Sequence, residues 1–78
     1  GDSAKGALKD MSESGARVAT NLVVAAGQRV ELFVRQEPFP FAIGSVVRVV
    51  KKGEEFGVTW MKLHEENLGK GVLWDVKL

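Results

Sequence analysis

A short polar stretch near the N-terminus reads DMSESG at residues 10–15. It follows a weakly apolar segment around Leu8 and precedes a segment that begins at Ala16 and alternates apolar with polar residues. Serine and aspartate side chains bond to their own backbone, and Gly15 can take a positive φ, so the stretch is typical of a tight turn. We therefore predict a β-hairpin here. Spacing alone leaves open whether the turn does more than reverse the chain.

The rest of the chain repeats the pattern of short strands separated by turns. Alternation with period two is the mark of a half-buried strand. The predicted strands cover residues 5–11, 16–20, 29–35, 41–52, 56–62 and 72–78. The last of these also fits a helix from about Glu65. Gly44 lies where a long strand bends or bulges to close a barrel, and Gly53 centres the next hairpin turn.

These segments predict a mainly β fold, a small antiparallel β-barrel of about five to six strands with at most one short helix near the C-terminus. Residues 1–78 form one domain, with residues 1–4 as a disordered tail or cloning remnant. A loop at residues 21–28 is expected to cover one barrel end with Leu22, Val23 and Val24. Both prolines lie at residues 36–40, which predicts a stiff loop.

Composition excludes several classes of protein. The 78 residues are 45% apolar and 27% charged, as in an ordinary globular domain. Without cysteine there is no disulfide framework, zinc finger or thiol nucleophile. The longest apolar run, residues 22–26, is too short to span a membrane. A net charge of +1 argues against tight nonspecific binding to nucleic acid. Because Gly1 stands where an initiator Met would, we expect a fragment of a longer protein.

No residue pattern predicts catalysis, a metal site or a cofactor. The single histidine, His64, has no second metal ligand or nucleophile near it and is expected at the surface, at a strand end. Glu65 and Glu66 are sequence neighbours whose side chains diverge, so they make a poor acid–base pair. The GKG at residues 69–71 lacks the spacing of a P-loop. The sequence therefore predicts a binding module rather than an enzyme.

The order of these parts resembles the PilZ domain family, bacterial modules that respond to the second messenger cyclic di-GMP. GALKDMSESGARV at residues 6–18 holds the family signature D/N-x-S-x-x-G as Asp10, Ser12 and Gly15. Family-like strands follow as GQRVELFV, GSVVRVV and FGVTWMKL at residues 27–34, 44–50 and 56–63; in the last, Gly57, Val58 and Trp60 match a glycine, valine and aromatic pattern.

The resemblance implies a cyclic di-GMP site at this turn. The Asp10 carboxylate would accept the ring N1 hydrogen and the exocyclic amine of guanine, and Ser12 would donate to a phosphate or base edge. Gly15 would let the backbone approach the ligand closely. All three residues could equally serve to close the hairpin, and both roles can hold at once. Arg17 is included in the expected ligand site.

Two departures from the family matter. Its receptors use an R-x-x-x-R arm upstream of the signature to read guanine edges and phosphates. Nine residues precede Asp10, and no two arginines have that spacing. Arg17, Arg29 and Arg35 would substitute only if they lined one groove, which we do not expect of all three. The family's first strand is also missing, and residues 72–78 are expected to fill that sheet edge, within the chain or in a neighbour.

Three functions remain open at this stage. The first is a bacterial, cytoplasmic cyclic di-GMP receptor domain that relays the signal to a protein effector or to further domains of its parent chain. The second is a PilZ-like protein-interaction module without a nucleotide, whose surface would be Phe33, Phe39 and Phe41. In that case Phe33 contacts a partner, although it equally fits packing beneath neighbouring side chains. The third, a barrel that binds single-stranded nucleic acid, would use residues Phe39, Phe41, Arg48, Lys51 and Lys52.

Overall fold

The computed structural model describes residues 3–34, 38–64 and 74–78. They form six strands: β1 (Ser3–Met11), β2 (Gly15–Thr20), β3 (Arg29–Val34), β4 (Ala42–Lys51), β5 (Glu55–Leu63) and β6 (Trp74–Lys77). The strands close into an antiparallel barrel in the order β1-β2-β5-β4-β3-β6, which confirms the predicted fold class. The described residues include no helix and therefore none that could cross a membrane. The helix considered from about Glu65 would begin at residues 65–73, which lie outside the described residues, while residues 74–77 form strand β6 as predicted.

Strand β6 closes the barrel between β1 and β3. Val76 pairs with Ala4 on one side and Leu32 on the other, and its side chain is fully buried. The expectation that the C-terminal segment fills a sheet edge is thus confirmed, within the chain itself. Because β6 supplies a partner, β1 already begins at Ser3, so the predicted tail at residues 1–4 is wrong for Ser3 and Ala4.

One apolar core fills the barrel. Its fully buried side chains alternate along the strands, as the period-two pattern predicts. The largest are Phe56, Leu32, Val18, Val30, Val46 and Val76. Leu22 and Val24 pack against this core from the loop after β2, as expected, but Val23 is 57% exposed and does not cover the barrel end. In an extended loop, alternate side chains point away from the core, and Val23 lies between two that point inward.

The pairing of β4 with β5 is interrupted at three places. One register shift lies between Ile43 and Gly44, where the sequence predicted a bulge, and two more follow Val46 and Val49. Each shift inserts a residue that has no partner across the ladder, which bends the strand and changes which residues face each other. The β4–β5 turn contains Gly53 at a φ of 73°, as predicted.

Candidate functional site

The hairpin between β1 and β2 is built from the DMSESG stretch, as predicted. The Ser12 N–H donates to the Gly15 carbonyl oxygen at 2.8 Å, and the Gly15 N–H donates to Ser12 Oγ at 3.3 Å. The Ser12 hydroxyl also lies 3.1 Å from the Ser14 hydroxyl. Ser12 therefore closes the turn with both its backbone and its side chain.

Strand β5 holds this turn in place. The Trp60 N–H and the Thr59 hydroxyl each donate to the Ser14 carbonyl oxygen at 3.0 Å. The Trp60 indole Nε1–H donates to the Ser12 carbonyl oxygen at 3.0 Å. Trp60 was noted in the sequence only as part of a family pattern. Its spacing from the buried Val58 indicates an inward-facing side chain, and no feature of the sequence indicates its contact with the turn.

Gly15 is needed for a reason other than the predicted one. Among the described glycines, those with positive φ are Gly27 and Gly53, so Gly15 has ordinary strand geometry. A Cβ on Gly15 would lie 2.1 Å from the Val58 carbonyl oxygen. The residue must be glycine because β2 passes directly against the backbone of β5. The expectation that Gly15 takes a positive φ in the turn is wrong.

Four residues line up across four neighbouring strands. Asp10 pairs with Arg17, Arg17 pairs with Gly57, and Gly57 pairs with Arg48. We call this set the transverse row. Directly paired residues point to the same face, and neighbouring strands lie about 4.8 Å apart, so the row spans about 14 Å. Gly57 stands between the inward-facing Phe56 and Val58, which places the row on the outer face of the barrel.

Two bulges create the transverse row. In β1 the register shifts between Leu8 and Asp10, so that Asp10 rather than Lys9 faces Arg17. In β4 it shifts between Val46 and Arg48, so that Arg48 faces Gly57. Uninterrupted pairing would have placed Val47 opposite Gly57. Each irregularity brings a charged side chain into the row.

Ion pairs organise one end of the row. Arg17 Nε donates to Asp10 Oδ2 at 2.7 Å, and Arg17 Nη2 contacts the same oxygen. Arg17 Nη1 lies 3.4 Å from Glu55 Oε2, while Lys9 Nζ donates to Glu55 Oε1 at 2.7 Å. The hydrogen bond from Lys9 lowers the pKa of Glu55, against the opposing effect of burial. The hydrogen bond to Asp10 raises the pKa of Arg17.

An open cleft of about 550 Å³ runs along the row. Its lining includes all four predicted site residues, which are Asp10, Ser12, Gly15 and Arg17. The neighbouring strands add five more, Val47, Arg48, Gly57, Val58 and Thr59. The sequence analysis assigned Arg48 only to a possible surface for single-stranded nucleic acid and did not predict its place in this cleft. The bulge that brings it to Gly57 leaves no mark in the residue pattern.

The aromatic surface expected for a protein partner does not form. Phe41 is 2% exposed and belongs to the core, because it begins the run that enters β4. Phe33 is 8% exposed and packs under Lys77, whose Nζ lies 4.7 Å from the ring centroid. The alternative interpretation of Phe33, packing beneath neighbours, is therefore confirmed. Only Phe39 of the three is exposed, so the stacking track for single-stranded nucleic acid also loses Phe41.

Nothing in the described part of the chain suggests a metal centre. It contains no group of three or more His, Asp or Glu side chains able to share an ion. His64 is exposed and directly follows β5, as predicted. Its backbone N–H donates to the Phe41 carbonyl oxygen at 2.9 Å.

Comparison with known proteins gives one match. The family model described as PilZ domain matches residues 1–73 of the 78-residue chain. No curated protein and no solved structure matches the chain. The match covers strands β1 to β5 and the turns between them, and this range includes every residue of the cleft lining.

Proposed function

Because the chain belongs to the PilZ domain family, we propose that it binds cyclic di-GMP in the cleft along the transverse row. In this proposal it is a signalling module of the bacterial cytoplasm and not an enzyme. Binding alters the surface around the β1–β2 turn, and a protein effector or a further domain of the parent chain reads that change.

One observation carries the proposal. The four residues chosen from the signature and its flank line a single opening, together with a second arginine. Sites for small ligands commonly have volumes of about 300–1,000 Å³ with a few convergent polar groups, and this cleft falls within that range. A turn that only reversed the chain would have no need of a cleft with two guanidinium groups beside it.

Asp10 is the residue suited to guanine. Its Oδ2 accepts both bonds from Arg17, whereas its Oδ1 accepts no hydrogen bond from any residue that the structure describes. The side chain is 67% exposed, so a ligand can reach it. Guanine presents two adjacent N–H donors, and the free Oδ1, with its two lone pairs, is the acceptor that remains for them. Arg17 fixes the orientation of that carboxylate before the ligand arrives.

Ser12 and Gly15 support the site by shape. Ser12 closes the turn, and Gly15 lets that turn lie against β5. Both hold Asp10 at the edge of the cleft. In this assignment Asp10 contacts the ligand and Gly15 is a positioning residue. Ser12 closes the turn, and its exposed hydroxyl can also donate to a bound phosphate.

A second function is favoured by the Asp10–Arg17 ion pair. If Asp10 and Arg17 bind only each other and neither bonds to a ligand, the module binds no nucleotide and works by protein contact. Its contact surface would then be sought around the exposed Phe39 and the exposed valines of β4, since Phe33 and Phe41 are buried.

Calorimetry with cyclic di-GMP separates the two functions. We expect the chain to bind the dinucleotide and Asp10→Asn to weaken binding about tenfold or more, because hydrogen bonds to a charged group contribute about 1.5–3 kcal/mol. Glu13→Gln, an exposed carboxylate of the same turn outside the cleft lining, is the matched control and should bind like the wild type. The same titration is run on a chain extended by any residues encoded upstream. Equal affinity of Asp10→Asn and wild type would contradict the proposal, as would no binding by either chain.

A further inference from the structure

We propose that Arg48 is an anion-binding residue of the cleft and takes a phosphate of the nucleotide at its guanidinium group, beside Gly57. The inference rests on the proposed function and extends it to a residue outside the family signature. The signature predicts where guanine binds. The charge and the shape of the β4 side of the cleft predict where the phosphate lies.

Gly57 makes room for the Arg48 side chain. Its neighbours on both sides in the transverse row are arginines, Arg17 on β2 and Arg48 on β4. A Cβ built on Gly57 would lie 3.4 Å from both Cγ and Nε of Arg48, and 3.8 Å from Val47 Cγ2. The Arg48 side chain therefore lies over Gly57, at the cleft and still exposed to solvent. A side chain at position 57 would press against it there.

The charge of Arg48 is uncompensated. It forms no hydrogen bond and no ion pair with any residue in the described part of the chain. Arg17, by contrast, is bound to Asp10 and Glu55, and Lys9 binds the other oxygen of Glu55. Around the cleft, the three cations Lys9, Arg17 and Arg48 thus face two carboxylates. The excess positive charge lies at the Arg48 end.

The chemistry of this end selects a phosphate. A guanidinium presents a planar fork of donors that matches two oxygens of a phosphate. Asp10 and Gly57 lie two strands apart, about 10 Å. One nucleotide can bridge that distance from the base edge to its phosphate. The guanine would then bind Asp10 while a phosphodiester oxygen binds Arg48.

Arg48 can take over part of the role of an R-x-x-x-R arm, which the 78 residues do not contain. The family resemblance implies that guanidinium groups reach the ligand from an R-x-x-x-R segment upstream. Arg48 gives this domain a guanidinium of its own, fixed on a strand of the barrel. The 78-residue chain should therefore bind phosphate-bearing ligands by itself, although more weakly than with an arm.

The test compares Arg48 with a matched lysine on the same hairpin. Cyclic di-GMP is titrated calorimetrically into wild type, Arg48→Ala, Arg48→Lys and Lys52→Ala, at two salt concentrations. Lys52 is exposed and lies outside the cleft lining. We expect Arg48→Ala to weaken binding about tenfold and to reduce its salt dependence, because one phosphate contact is lost. The affinity of Arg48→Lys should lie between those of wild type and Arg48→Ala. The affinity of Lys52→Ala should equal that of wild type. Equal affinities of Arg48→Ala and wild type would overturn the inference and leave the proposed function standing.

A second readout separates failure of the inference from failure of the function. Inorganic pyrophosphate is titrated into ¹⁵N-labelled wild type and Arg48→Ala, and the amide signals are followed by NMR. The inference predicts that the Gly57 amide shifts in wild type but not in the variant, whether or not the dinucleotide binds. If Gly57 does not shift, or shifts equally in both proteins, no anion site exists at Arg48. If wild type binds pyrophosphate there but not cyclic di-GMP, the function fails while the anion site holds.

Discussion

At the scale of single residues, Gly15 shows how a position of the family signature can serve a structural purpose. Gly15→Ala should destabilise the fold, because its Cβ would lie 2.1 Å from a backbone carbonyl that cannot move without shifting β5. Overpacking of this kind costs about 1–3 kcal/mol, occasionally more. Chemical denaturation measures the loss. Gly27→Ala is the control for a glycine with open space but a positive φ of 91°.

The two glycine variants distinguish the explanations. If Gly15 mattered for φ, its variant would resemble Gly27→Ala, which should lose only about 1 kcal/mol from backbone strain. A loss at Gly15 no larger than that at Gly27 would contradict the close-approach account.

Glu55 makes stability depend on pH. Its pKa in the folded chain is lowered from the ordinary 4.5, chiefly by the hydrogen bond from Lys9. A carboxyl with a depressed folded pKa contributes stability that is present above its unfolded pKa and is lost as the pH falls through the folded value. The free energy of unfolding of wild type should therefore exceed that of Glu55→Gln at neutral pH, and the difference should shrink as the pH falls below 4.5. Thermal melts across this range measure the difference, with Glu54→Gln correcting for loss of a surface carboxylate. An unchanged difference between wild type and Glu55→Gln at all pH values would contradict the assignment.

At the scale of the elements, β6 decides whether the barrel closes. Its pairing satisfies one edge of β1 and one edge of β3, and Val76 is fully buried between them. Deleting residues 71–78 should abolish cooperative unfolding, since both edges and part of the core become exposed. Val76→Ala is the milder variant and should cost about 1–3 kcal/mol. Lys62→Ser, at an exposed position of β5, is its control. A truncated chain with an unchanged melting transition would show that β6 does not hold the barrel.

The bulged strands are the elements that assemble the site. Regular pairing would place Lys9 opposite Arg17 and Val47 opposite Gly57, and would leave both Asp10 and Arg48 out of the row. The ligand cleft thus depends on two irregularities in otherwise regular strands. Bulges commonly redirect side chains beside functional sites, and here two of them do so on opposite flanks of one cleft.

At the scale of the whole molecule, residue patterns predicted the hairpin and the strand positions, whereas Asp10 comes from the family signature and its role in binding stays a prediction. Alternation is a local property, and it predicts strands because burial repeats every two residues. It carries no information on register across bulged strands, which is why Arg48 was missed. It also does not tell which aromatic residues face inward when a strand begins beside a proline-containing loop, so Phe41 was assigned to the surface.

The central claim is that the transverse row is the binding site of a cyclic dinucleotide. The most direct measurement is an NMR titration of the ¹⁵N-labelled chain with cyclic di-GMP. Our account predicts saturable shifts at the amides of Gly15, Arg17 and Gly57, which lie along the cleft on two adjacent strands. Val30 and Leu32, in the buried part of β3, should be unaffected. Saturable shifts confined to residues outside the cleft, or no shifts at any ligand concentration, would contradict it.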